Sequence, residues 1–211
     1  MAEKNDIYYT IENKERVEIK IKASRFIASA IPVVEKDEAM AFLKDIQSEF
    51  HDARHNCFAY KIGPEGMEFR YSDDGEPNGT GGKPILFSIQ KHNVSDVLVV
   101  VTRYFGGTKL GVGGLARAYG DAANEVLQIS RKRPVYIIVP VRVFCTYEDI
   151  DPVKRIVSKM AITFEEEYHD AIEMLANIPR SKVEEFTNTI TSATNGRAGT
   201  VVLDRLKNIQ K

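Results

Sequence analysis

Apolar and polar residues alternate with a period of two over residues 15–34, which predicts two strands that meet at a bend near Ser24. Over residues 36–50 the apolar positions recur with helical spacing instead, and a helix is predicted there. Residues 57–63 and 68–72 again have the composition of strands, and a Gly-Pro turn lies between them. The first third of the chain is therefore predicted to mix strands with one helix.

Two glycine-rich segments each precede a predicted helix. Residues 73–84 form a polar loop with four glycines. The loop ends at Pro84, which suits the first position of a helix because its missing N–H would have no partner there. Residues 97–101 are all apolar, as in a strand that is buried on both faces. Five of the nine residues from 106 to 114 are glycine, and a helix of about four turns is predicted from Leu115 onward.

The last third of the chain carries a second pattern. Residues 130–136 are basic and contain a proline, which predicts a linker. Beyond it the elements are predicted in the order β-α-β-β-α-β, with Ser181 as the cap of the second helix. This order is typical of a ferredoxin-like unit. The predicted fold class is α+β with two domains, residues 1–131 and residues 132–211.

Composition and charge limit the function classes. The chain has 211 residues, of which 43% are hydrophobic, so it can bury a substantial core. Its formal net charge is −1, so any affinity for nucleic acid must come from a local basic patch. Two distant cysteines, no apolar leader and no long apolar run favour a cytoplasmic protein without disulfides or a membrane segment.

The glycine segments are candidates for an anion cradle. Glycine lets backbone N–H groups approach a ligand closely, and a following helix contributes unpaired donors and the positive end of its dipole. Arg103, Lys109 and Arg117 would add the charge and the donors that suit phosphate. The alternative is a tight strand-to-helix connection that needs positive φ angles, without any ligand. The anion interpretation predicts that the two turns come together and expose their main-chain donors.

Three acidic residues follow one another closely at Asp73, Asp74 and Glu76. Their carboxylates could hold Mg²⁺ or accept hydrogen bonds from arginine side chains. They could equally form a turn in which aspartate bonds to nearby backbone N–H groups. We expect the turn with ion pairs, in which the acids orient the basic side chains.

A second candidate metal site combines His51, His55 and Cys57, but a fourth ligand is not evident. The alternative is that the histidines lie at a helix exit and that Cys57 is a small buried hydrophobe. We therefore assign no metal, no cofactor and no catalytic residue. The candidate binding residues are His55, Asn56, Asp73, Asp74, Glu76, Thr80, Lys83, Arg103, Tyr104, Phe105, Gly106, Gly107, Lys109, Gly111, Gly113, Gly114 and Arg117.

Three blocks taken in order are more specific than any single motif. They are HDARHNCFAYKIG, YSDDGEPNGTGGKPIL and VLVVVTRYFGGTKLGVGGLARAYGDAA. Together they resemble the IMPACT family of translation-associated proteins, and the whole chain is similar to its bacterial YigZ-type branch. The resemblance implies a first domain with the fold shared by a ribosomal protein and RNase PH. It implies a second domain like the C-terminal domain of elongation factor G.

The resemblance also implies a role in controlling translation, as in the eukaryotic relatives that act under amino-acid stress by binding a regulatory partner. It brings no established enzymatic activity. The leading hypothesis is a non-enzymatic regulator that binds RNA or the ribosome through phosphate groups, with Tyr104 and Phe105 stacking on bases. One alternative is an Mg²⁺-dependent enzyme acting on a phosphorylated small molecule or an RNA end. Another is a protein-binding stress regulator that makes no RNA contact.

Overall fold

The computed structural model describes residues 6–168, 171–203 and 207–210. Their regular elements, in chain order, are β1 (Ile7–Ile11), β2 (Glu15–Ile21), β3 (Ser24–Pro32), α1 (Lys36–Glu49), β4 (His55–Ile62), β5 (Glu68–Ser72), α2 (Gly82–Lys91), β6 (Val97–Tyr104), α3 (Gly111–Ile129), β7 (Lys132–Cys145), α4 (Ile150–Met160), β8 (Thr163–Tyr168), β9 (Ile172–Pro179), α5 (Val183–Ala193), β10 (Gly199–Val202) and β11 (Lys207–Gln210). Short 3₁₀ turns cover Pro64–Gly66 and Arg180–Lys182. The described residues thus form an α+β protein, as predicted, with two sheets and five α-helices.

The chain divides into two compact units. One is Tyr9–Arg133, and the other combines the described residues of Met1–Tyr8 and Pro134–Lys211. The division therefore falls inside strands β1 and β7. None of the helices that the described residues form has the length and apolar character that a bilayer crossing requires.

The unit Tyr9–Arg133 is built on a five-stranded sheet with the order β2-β3-β6-β4-β5. One face packs against α2 and α3, and the other packs against α1. The central strand β6 contributes Val97, Val99 and Val101 to the first core and Leu98 and Val100 to the second. Because both of its faces are covered, the strand is apolar at each of its first five positions, residues 97–101, as the sequence predicts.

The second sheet has the order β1-β7-β9-β8, and β10 and β11 also pair with β7. Helices α4 and α5 cover one face, and β9 turns every second side chain toward them. The predicted order β-α-β-β-α-β is present as β7-α4-β8-β9-α5-β10. The sequence also predicts a turn at residues 169–170 and a last strand over residues 199–206; residues 169–170 and 204–206 lie outside the described residues.

Four local predictions differ from the structure. The segment predicted as a linker contains the start of β7 at Lys132, and Pro134 lies inside that strand, before the first residue that pairs with β11. Helix α3 begins at Gly111, four residues before the predicted start. Helix α2 begins at Gly82, so Pro84 is its third residue. Ser181 lies in a 3₁₀ turn and donates its hydroxyl to Asp6 instead of capping α5.

Candidate nucleic-acid interface

The sheet register brings two of the predicted site residues side by side. Strands β4 and β6 are antiparallel, and His55 lies directly opposite Arg103. On the other side of β6, Arg103 lies opposite Phe26 of β3. Residues opposite each other in a pleated sheet turn their side chains to the same face. Arg103 and His55 therefore mark the end of the sheet face on which α2 and α3 pack.

Arg103 forms a buried ion pair with Glu76. Its Nη1 lies 2.6 Å from Glu76 Oε1, and the two side chains are only 8% and 4% exposed. Tyr119 of α3 donates its hydroxyl to the same carboxylate oxygen at 2.9 Å. The guanidinium carbon lies 5.6 Å from the ring centre of Phe26 and 5.5 Å from that of Phe105. Glu76 thus connects residues 73–84, called here the first glycine turn, to the end of β6 and to α3.

The first glycine turn is closed by its own aspartate. Asp73 Oδ1 accepts hydrogen bonds from the backbone N–H groups of Gly81 and Gly82, each at 2.9 Å. Its Oδ2 accepts from the N–H of Gly79 at 2.8 Å. The carboxylate therefore occupies the start of α2, where an external anion would otherwise bind. The prediction that this turn exposes its main-chain donors is wrong.

Asp74 holds the same turn against β4. Its Oδ2 accepts the backbone N–H of Asn56 at 2.6 Å, and its carbonyl oxygen lies 2.8 Å from Nδ1 of His55. The expectation that all three acids orient basic side chains holds for Glu76 alone, because Asp73 and Asp74 accept hydrogen bonds from the backbone. This arrangement is the aspartate turn that was the alternative to a metal site.

Two predicted binding residues are buried and form hydrogen bonds within the protein. Thr80 is 1% exposed and donates its hydroxyl to the carbonyl of Pro77. Asn56 is 5% exposed, and its side-chain oxygen accepts the hydroxyl of Thr102 at 2.6 Å. These two side chains stabilise the turn and the β4–β6 pair, and a ligand on the surface would not reach them.

Cys57 lies beneath the first turn. Its Sγ donates to the carbonyl oxygen of Asp73 at 2.9 Å, and burial raises the pKa of this thiol to about 12. A Cβ on Gly81 would lie 2.4 Å from that sulfur, so a larger residue there would require the Cys57 side chain to shift. The side chain is a packed, protonated thiol, as the buried interpretation expected. In the part of the chain that the structure describes, no three His, Cys, Asp or Glu side chains are grouped to hold a metal ion.

The second glycine turn, residues 106–114, is largely exposed to solvent. Gly107, Lys109 and the residues from Gly111 to Gly113 are exposed. Leu110 is the N-cap residue of α3 and makes no side-chain cap hydrogen bond. The first N–H groups of a helix have no partner within the helix, so this end of α3 offers donors that have no partner among the described residues, together with a positive dipole end.

The backbone of this turn explains its glycines. Gly107 and Gly111 have φ angles of 89° and 75°, which favour glycine. A Cβ on Gly106 would lie 2.1 Å from the backbone of Ala23, so the chain passes too close for any side chain. The N–H of Gly106 donates to the hydroxyl of Ser24 at 3.2 Å. The turn is anchored at Gly106 and exposed from Gly107 onward.

The basic side chains of this end fall into two groups. Arg103 is buried against Glu76, whereas Lys109 and Arg117 are exposed, and neither forms an ion pair or hydrogen bond within the described residues. Gly113 and Arg117 are four residues apart and share one face of α3. Lys83 is also exposed, with its Nζ 5.6 Å from the ring centre of Phe87.

The two adjacent aromatic residues have different environments. Phe105 is 56% exposed. Tyr104 is half-buried and donates its hydroxyl to Asp52 Oδ1 at 2.6 Å. Asp52 and Arg54 were not predicted as site residues, although they lie in the stretch that was considered for zinc. Their position in the sequence, just before the strand that begins at His55, could have indicated them, because His55 pairs with Arg103.

Comparisons with known proteins agree with the sequence blocks. A sequence model described as the Impact N-terminal domain matches residues 22–127, and a domain of unknown function, DUF1949, matches residues 143–197. The IMPACT family member YvyE of Bacillus subtilis is 34% identical over 90% of this chain and 88% of its own length. The chain belongs to the IMPACT family. The resemblance read from the three sequence blocks is thereby confirmed.

Other relatives show how far the family likeness extends. YigZ of Escherichia coli is 32% identical over 84% of this chain and 88% of its own length. Protein IMPACT of Rattus norvegicus is 33% identical over 51% of this chain and 35% of its own length. A crystal structure described as that of a hypothetical protein shares 28% identity, covers 95% of this chain and 98% of its own, and superimposes with a TM-score of 0.69.

Proposed function

We propose that this IMPACT family member is a non-enzymatic regulator of translation that binds RNA, alone or on the ribosome. RNA phosphates bind at the turn 106–111 and at the start of α3. The observation that carries the proposal is the contrast between the two glycine turns. The first is filled by Asp73, whereas the second is exposed beside Lys109 and Arg117.

Charge and geometry support this assignment. The net charge of −1 gives no general attraction to nucleic acid, so binding requires a local set of donors. The turn offers backbone N–H groups, an ammonium group and a guanidinium group, which are the donors that phosphate recognition uses. We further propose that the two units have the RNase PH-like and ferredoxin-like folds that the family resemblance implies.

A salt series tests RNA binding. Labelled single-stranded RNA is titrated with the protein at KCl concentrations between about 50 and 300 mM, a range that resolves counterion release. The dissociation constant is measured at each concentration by fluorescence anisotropy. We expect the affinity to fall as salt rises. The double variant Lys109→Ala/Arg117→Ala should bind more weakly and reduce the slope of log K against log salt by about 1.4, because two phosphate contacts are lost.

The matched control is Lys36→Ala/Lys44→Ala, which removes two exposed lysines from α1 in the same unit. It changes the net charge equally, so it should leave the slope within error of the wild type. Equal slopes for both double variants, or binding that does not respond to salt, would show that the turn makes no phosphate contact.

A further inference from the structure

A cavity of about 360 Å³ lies at the end of β4 and β6, where these strands meet the second glycine turn. Its volume falls within the range of roughly 300–1,000 Å³ that small-ligand sites have. The cavity is lined by Asp52, Arg54, His55, Arg103, Tyr104 and Phe105.

Arg103 lines this cavity, and one edge of its guanidinium has no hydrogen bond to the described residues. Within the described residues, the guanidinium makes one hydrogen bond, from Nη1 to Glu76. Its Nε is buried and has no hydrogen-bond partner. Nε and Nη2 share one edge of the planar group, and this edge can bind two oxygens of a phosphate in parallel. Buried donors are rarely left unpaired, so the open edge points to a ligand.

The other lining residues add complementary chemistry. Arg54 is exposed and supplies a second guanidinium. Nδ1 of His55 faces the carbonyl oxygen of Asp74, which can only accept, so Nδ1 carries a hydrogen and the neutral ring keeps Nε2 as an acceptor. The Asp52 carboxylate is a second acceptor, and it already receives the hydroxyl of Tyr104. Two acceptors beside two guanidiniums suit a ligand that has both hydroxyl groups and a phosphate.

The exposed aromatic ring completes the set. Phe105 is 56% exposed, and Arg103 lies 5.5 Å from its ring centre. An aromatic side chain of this kind can stack on a base regardless of the base's identity.

We infer that this cavity binds one ribonucleotide. Its phosphate lies on Arg103 and Arg54, and its base stacks on Phe105. The ribose 2′-hydroxyl, which RNA and a free nucleotide share, donates to Nε2 of His55, and a 3′-hydroxyl, which is free in a mononucleotide or at a strand end, donates to Asp52. The inference rests on the proposed function in taking RNA as one source of the nucleotide. The other source with the same chemistry is a free mononucleotide.

Calorimetric titration tests the site with three probes: uridine 5′-monophosphate, ribose 5-phosphate and a single-stranded uridine decamer. Phe105→Ala should weaken binding of the monophosphate and the decamer roughly tenfold and leave ribose 5-phosphate unchanged, because only stacking is lost. Arg54→Ala should weaken all three roughly tenfold. A decamer that binds more tightly than the monophosphate identifies RNA as the source, and equal affinities identify the free nucleotide.

Two variants serve as controls. Phe87→Ala removes a ring that is 54% exposed, and Arg70→Ala removes an exposed arginine of β5; both should bind as the wild type does. Arg103→Lys keeps the charge beside Glu76 but lacks the two parallel N–H donors of the guanidinium, so this variant should lose binding of all three probes. Should it fail to fold, Phe105→Ala and Arg54→Ala still decide.

The inference is overturned when folded Phe105→Ala and Arg54→Ala bind the monophosphate and the decamer as the wild type does. RNA binding that depends on Lys109 and Arg117 but ignores Phe105 and Arg54 overturns the cavity site alone. Monophosphate binding that depends on Phe105 and Arg54, in a protein that does not bind the decamer, overturns the proposed function alone and leaves the cavity as a free-nucleotide site.

Discussion

Glu76→Ala is expected to lower the free energy of unfolding of the unit Tyr9–Arg133 by about 3–5 kcal/mol. The substitution leaves the guanidinium of Arg103 with its charge buried and unpaired, since that side chain is 8% exposed and Glu76 accepts its one hydrogen bond to the described residues. It also removes the acceptor of the Tyr119 hydroxyl. A charge without a partner in a buried site is strongly destabilising, whatever the net contribution of the intact pair.

Hydrogen exchange of the β6 amides in a urea series measures this change, because β6 is the central strand of the unit's sheet. The matched control is Glu49→Ala, which breaks the pair with Arg16. Those side chains are 43% and 49% exposed, and the loss should stay below about 1 kcal/mol. If Glu76→Ala costs no more than Glu49→Ala, the buried pair does not hold the turn in place.

Asp73→Ala is expected to lower the same free energy by about 3 kcal/mol. The carboxylate caps the start of α2 and pairs with three backbone N–H groups, at Gly79, Gly81 and Gly82. Gly81 and Gly82 are buried, so water replaces these hydrogen bonds poorly. Asp73→Asn keeps one acceptor oxygen and should lose roughly half as much.

The control for Asp73 is Glu35→Ala. Glu35 occupies the N-cap position of α1 but makes no side-chain cap hydrogen bond, so its removal should have little effect. A second readout uses sulfate, which should stabilise Asp73→Ala more than the wild type because it can enter the vacated anion position. If Asp73→Ala leaves the free energy of unfolding unchanged, or if sulfate does not stabilise this variant more than the wild type, Asp73 does not fill an anion site.

The sheet and the helices of this protein could be predicted because their periodicity is local. The alternation across residues 15–34 gives β2 and β3, and the apolar run 97–101 gives the central strand, although β6 extends three residues further to Tyr104. The basic segment 130–136 misled because composition says little about pairing: β7 already begins at Lys132, within that segment, and Val135 is buried.

The difference between the two glycine turns could not be predicted. Both are rich in glycine and both precede a helix, so their composition predicts the same role. What separates them is the position of one carboxylate, Asp73, whose partners lie six to nine residues further along the chain. The contribution of Arg54 and Asp52 was missed for a related reason, since only the β4–β6 register brings that segment to Arg103.

The central claim is that RNA phosphates bind the open turn and not the closed one. The most direct test follows backbone amide resonances by ¹H–¹⁵N correlation spectroscopy while a single-stranded RNA decamer is added. We predict shifts for the amides of Gly107 and of Gly111–Gly113, with those of Gly79, Gly81 and Gly82 unchanged because Asp73 already binds them. Shifts at the closed turn with none at the open turn, or none at either, would contradict the account.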